Sequence, residues 1–147
     1  MKGLLLFLTA AAGVMMPLQA GINSLLGNEL KSSLLSALVS FVVGMFGLVV
    51  VCLFSRESWG ALRSVTQVPW WYLSGGFMGA FLVTISILAA PRIGAINLFV
   101  FLLLGQMLAS LVFDHFGWFG FAVHPISVWR VLGISLVILG IIIIRKF

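Results

Sequence analysis

The residues able to do chemistry in this chain are a few amides and hydroxyls set inside long apolar runs. Gln19 and Asn23 lie four apart, so on a helix they share one face, and Met15 continues it. Pro17 stands between them. Lacking an amide hydrogen, it deprives the Gly13 carbonyl of its intrahelical donor and should kink the helix, and a freed carbonyl beside a bend is a usual component of a transport site. Gln106 and Ser110 make a second polar face. Asn97 falls about half a turn out of phase with Gln106, at roughly 100° per residue, and its place beside Pro91-Arg92 suits a helix-end or packing group.

A polar side chain in lipid is costly unless it pairs or faces a cavity. That makes Gln19, Asn23, Ser40, Gln106 and Ser110 the candidate contacts for a small-molecule substrate, with Gln106 first because it falls near the middle of its run. Two uses stay open for Gln19 and Asn23: lining a pathway, or bonding a neighbouring helix as glue. Ser36, Ser40, Thr84 and Ser86 are weaker pointers, since such hydroxyls can return their hydrogen bond to the carbonyl of the preceding turn, and that structural use is expected of them.

The three acids, Glu29, Glu57 and Asp114, all sit at the ends of apolar runs or in loops. A buried carboxylate trading a proton for a cationic substrate is therefore not supported. Asp114 and His115 are left as a possible coupling pair or a helix-end anchor, and adjacent residues on a helix point about 100° apart. Asp114, His115 and His124 have neither metal-ligand nor nucleophile–base spacing, so an enzyme is not expected, nor a metal or a cofactor. The basic residues occur singly or in twos rather than as a patch, which argues against nucleic acid. A single cysteine, Cys52, excludes an internal disulfide.

Long apolar runs must position these groups. Of 147 residues, 63% are hydrophobic and 7% charged, far too little polar surface for a soluble domain of this length. The expected fold is an all-α membrane protein, a single domain with five transmembrane helices at about 3–26, 34–54, 70–89, 94–113 and 128–144, each near the roughly 20 residues a bilayer requires. Lys2 and the leucines after it resemble the start of a signal peptide, with Leu18-Gln19-Ala20 an imperfect cleavage site; the apolar run continues past it, so the first span is expected to be retained. Trp70-Trp71-Tyr72 suits the headgroup level, and the polar stretch before it should be interfacial. Gly75 with Gly79, and Gly133 with Gly140, form small-residue faces for close helix packing, the second pair a candidate for a dimer contact.

Five spans put the termini on opposite sides. Of the eight basic residues, Lys2, Arg56, Arg63 and Arg130 fall on the N-terminal side, and Lys31, Arg92, Arg145 and Lys146 on the other. Lysine and arginine in short loops normally fix orientation, so an even division makes insertion in both orientations a serious expectation. One polypeptide inserted both ways and paired antiparallel would give the inverted-repeat architecture common among transporters, a ten-helix antiparallel homodimer made without gene duplication.

Several segments carry a family resemblance: Pro17-Leu18-Gln19-Ala20-Gly21-Ile22-Asn23, Val39-Ser40-Phe41-Val42-Val43-Gly44, Pro69-Trp70-Trp71 through Gly75-Gly76 and Gly79, Ala90-Pro91-Arg92-Ile93-Gly94, Gly105-Gln106-Met107-Leu108-Ala109-Ser110 and Asp114-His115-Phe116-Gly117. Together, in this order over nearly the whole chain, they resemble the YdcZ-like branch of the drug/metabolite transporter superfamily, whose members are five-span half-size proteins or ten-span fusions. The resemblance implies a bacterial inner-membrane protein that exports small molecules, working as an antiparallel homodimer or beside an oppositely oriented paralogue. It supplies no set of functional residues. The other reading of the same helices is a structural or accessory membrane protein through which nothing passes.

Overall fold

The computed structural model describes residues 2–55 and 57–146; Arg56, one of the eight basic residues, lies outside them, as do Met1, Phe147 and the Lys2 side chain. The regular structure of the described residues is all helical, with no strand among them. Five helices carry the chain: α1 Lys2–Glu29, α2 Ser33–Phe54, α3 Gly75–Ile93, α4 Ala95–Phe116 and α5 Val128–Lys146. Short 3-10 helices fill Trp59–Gln67, Trp70–Ser74 and Trp118–Gly120. With Trp70–Ser74 counted into the third, the apolar helical runs are 19 to 27 residues long. At 1.5 Å per residue each covers about 28–40 Å, enough for a hydrocarbon core of about 30 Å. Their large side chains are mostly exposed along the whole length of the helices, as lipid-facing surfaces are.

The chain divides into two compact units between Arg92 and Ile93. In the first, α1 and α2 form a hairpin closed by a tight turn. Lys31 adopts a left-handed conformation there (φ 51°), and Ser32 caps α2 by accepting the Leu35 N–H at 3.2 Å. α3 packs on this hairpin. Phe41 of α2 lies 3.6 Å from where a Cβ on Gly79 would stand, and Ile87 meets Gly27 of α1 in the same way at 3.2 Å.

The third helix runs four residues past the expected end, through Pro91 and Arg92 to Ile93, and the turn is Gly94 alone (φ 80°). Proline is tolerated because the carbonyl it strands is served from elsewhere. Residue 91 cannot donate to Ile87 O, and Ser24 Oγ of α1 reaches that oxygen at 3.4 Å. Pro17 likewise sits inside α1, which stays helical on both sides of it.

In the second unit α4 and α5 form another hairpin. Gly117 ends α4 in a left-handed conformation (φ 64°), its N–H returned to Phe113 O, as in a helix C-cap. Phe113, Phe116, Trp118 and Phe119 cluster around this cap at ring separations of 5.2 to 6.1 Å, with Phe116 and Trp118 stacked and Phe113 edge-on to Phe119. At the other end of this hairpin Arg145 lies 5.6 Å from the Phe101 ring, where the charge faces the π-system.

Candidate functional site

Asn23 is the buried polar centre of the first unit, 5% exposed. Its backbone carbonyl accepts from Ser36 Oγ at 2.7 Å, and its side-chain Oδ1 accepts from Ser40 Oγ at 2.6 Å. These two serines lie one turn apart on α2 and face α1 together. The expectation that they would bond back to their own helix is corrected by this geometry: a short side chain on a hairpin-facing position reaches the opposing helix, and Asn23 offers two oxygens there. Ser86 does follow the local pattern, bonding Leu82 O at 2.8 Å. The Asn23 Nδ2 is buried and has no partner among the described residues, so the amide keeps its donor capacity.

Gln19, one turn before Asn23, is exposed, and with Ser40, Phe41 and Gly44 it borders an open groove of about 400 Å³ between α1 and α2. The shared face of Gln19 and Asn23 is thus split between groove and hairpin core, with Ser40 touching both.

The second unit holds a hollow of about 460 Å³ between α4 and α5. Gln106, Ser110 and Asp114 line it from α4, one turn after another, and Arg130 and Gly133 from α5. Asp114 Oδ2 accepts from Arg130 Nη2 at 3.0 Å, with the two side chains 30% and 35% exposed. Arg130 Nη1 also donates to His124 O at 3.1 Å, and the His124 N–H donates to Asp114 O at 2.8 Å. The connecting loop is therefore tied to the end of α4 and the start of α5 by one cation and one acid. His115 does not join Asp114. Its Nδ1 accepts the Ile126 N–H at 3.2 Å, which requires the ring proton on Nε2. The hollow runs from a mid-span amide to a paired charge at its mouth. Gln106 and Ser110 are exposed and have no side-chain hydrogen bond among the described residues.

Of the sequence candidates, Asn23 and Ser40 meet directly, Gln19 and Ser40 border one groove, and Gln106, Ser110 and Asp114 border one hollow. Asn97 donates to Ile93 O at 2.8 Å in the first turn of α4, as a helix-end group does. The small-residue faces divide differently. Gly79 is approached by Phe41, whereas Gly75, Gly133 and Gly140 have open space where a Cβ would stand. Two further members of these clusters, Arg130 and Ser36, are not among the sequence candidates. In the sequence Arg130 is only a cation at the start of the fifth span, and folding a hairpin about residues 117–127 sets it opposite Asp114.

A family model described as "Putative inner membrane exporter, YdcZ" matches residues 4–143. The chain belongs to the YdcZ family. A curated relative, the inner membrane protein YdcZ of Escherichia coli strain K12, is 27% identical over 115 residues, covering 78% of this chain and 77% of that protein. No solved structure matches. With five membrane-length helices and this membership, the chain is a multi-pass inner-membrane protein. The YdcZ family is described as exporters, not as enzymes.

Proposed function

We propose that this chain exports small molecules by alternating access, as a homodimer of two copies inserted in opposite orientations, each contributing Gln19, Asn23, Ser40, Gln106 and Ser110 to the pathway. The observation that carries the reading is Gln106, an unpaired amide exposed near the middle of a membrane-length helix, in a hollow that ends at the Asp114–Arg130 pair. An unsatisfied amide facing hydrocarbon costs several kcal/mol. A partner helix or a solvated path removes that cost. The family description supports export. The even division of basic residues supports two-way insertion. The open faces at Gly133 and Gly140 leave α5 free to approach a second copy closely.

Flux in proteoliposomes tests this. Gln106→Ala removes no hydrogen bond among the described residues, so folding should be unchanged, and in variant protein verified as dimeric, flux of a transported compound should fall at least tenfold, the effect of about 1.4 kcal/mol of lost binding. Wild-type flux in Gln106→Ala would refute the site. Absence of flux from the wild-type dimer across a broad compound screen would favour a structural or accessory role.

A further inference from the structure

A third cavity, sharing no residue with the groove or the hollow, lies in the first unit where α1 ends, α2 begins and α3 ends. Its volume is about 700 Å³, and its polar lining includes Asn28, Lys31, Ser33 and Arg92 over an apolar floor of Ile87 and Leu88. Because three spans terminate here, the cavity stands at headgroup level.

Its charge is one-sided. Arg92 Nη1 donates to Leu88 O at 2.5 Å, which holds the guanidinium at the wall with its other N–H groups unspent among the described residues. Neither Lys31 nor Arg92 has a carboxylate partner among those residues. Glu29 is the nearest acid in sequence and does not line the cavity. The side chains of Asn28 and Ser33 are also without hydrogen-bond partners among the described residues. Since the Ser32 cap takes the Leu35 N–H, the Ser33 and Leu34 amides on the cavity wall have no acceptor there either. One cation held at the wall, a second on the adjoining turn, free amide hydrogens and polar side chains suit an oxyanion, which accepts several such donors at once. The volume leaves room for a phosphate together with a sizeable attached group.

We propose that this cavity binds a phosphate-type oxyanion at the membrane surface, with Lys31 and Arg92 as its principal contacts. The same chemistry is offered by the phosphodiester of an anionic lipid and by soluble phosphate. Lys31 gives a clean handle. It occupies a left-handed turn position (φ 51°) that glycine adopts at lower cost, so Lys31→Gly removes the cation and leaves the turn intact.

The purified full chain in non-ionic detergent is titrated with dioctanoyl phosphatidylglycerol, dioctanoyl phosphatidylcholine and inorganic phosphate, following the thermal unfolding midpoint and the dissociation constant. Lys31→Gly and Arg92→Gln should each weaken phosphatidylglycerol binding about fivefold, while Arg145→Gln, a cation on the same side outside the cavity, leaves it unchanged. Inorganic phosphate that competes with the lipid, with the same variant sensitivity, identifies a site open to soluble oxyanions; no competition identifies a lipid site. The proposal is overturned if both cavity variants bind as the wild type does, if Arg145→Gln weakens binding equally, or if phosphatidylcholine matches phosphatidylglycerol. None of these readouts depends on transport or on dimer orientation.

Discussion

Asn23 of α1 receives both hydroxyls of one α2 face, Ser36 on its backbone oxygen at 2.7 Å and Ser40 on its side-chain oxygen at 2.6 Å. Only the Ser40 bond depends on the Asn23 side chain. Ser40→Ala should therefore couple with Asn23→Ala, by about 0.6–1.7 kcal/mol, the range of interhelical hydrogen bonds in membrane proteins. Ser36→Ala should add to Asn23→Ala independently. A double-mutant cycle of unfolding in bicelles measures both. Additivity for the Ser40 pair would mean that the 2.6 Å contact does not hold the hairpin.

The ion pair between Asp114 and Arg130 is about a third exposed, so breaking it should cost about 0–1 kcal/mol of stability. Its local effect should be larger. Arg130 also holds His124 O, and Asp114 accepts the His124 amide on its backbone. In Arg130→Gln, hydrogen exchange at residues 121–127 should accelerate while α1 and α2 stay protected. The charge swap Asp114→Arg with Arg130→Asp should recover part of the protection, and unchanged exchange in Arg130→Gln would show that the pair does not anchor the loop.

The five membrane helices and the polar faces of α1 and α4 were legible in the sequence, because apolar length and helical spacing are local properties. The end of α3 was not. Pro91 reads as a stop, but Ser24, 63 residues before Ile87 in sequence and beside it in space, serves the Ile87 carbonyl that the proline strands. The bonds of Ser36 and Ser40 are hidden for the same reason, since a hydroxyl's choice between its own helix and an opposing one depends on what the opposing helix presents. Asn23 was legible as a polar residue at membrane depth, though not as one whose oxygens are taken and whose Nδ2 is left over. Arg130 was visible only as a charge until the α4–α5 hairpin gave it Asp114.

The glycines should separate turn geometry from helix contact. Gly117 has φ 64°, and a Cβ there would lie 2.7 Å from Val123 Cγ2. Gly117→Ala should cost about 1–2 kcal/mol from the left-handed conformation alone, and Val123→Ala in the same chain should relieve only the clash. Gly133→Ala and Gly140→Ala meet open space, so the monomer should tolerate both. If α5 contacts a second copy, Gly140→Leu should lower the dimer fraction seen by energy transfer between labelled copies in liposomes. An undiminished dimer fraction would move the interface off that face.

Orientation is the remaining test, and the charge division makes it quantitative. Four basic residues stand on each side, although Arg130 is engaged by Asp114. Because insertion follows lysine and arginine numbers rather than net charge, the paired Arg130 still counts, and reporters fused at the C-terminus should give comparable cytoplasmic and periplasmic signals. Two lysines added to the turn beside Lys31 should make that side cytoplasmic and carry the C-terminus with it, whereas two added near Arg63 should do the reverse. Either locked variant alone should fail to export, since only one member of an antiparallel pair would be made. Expressing both together should restore export. A one-sided reporter signal from the wild-type chain, or full export from one locked variant expressed alone, would rule out the two-way assembly and leave a parallel dimer or an oppositely oriented paralogue to complete the pathway.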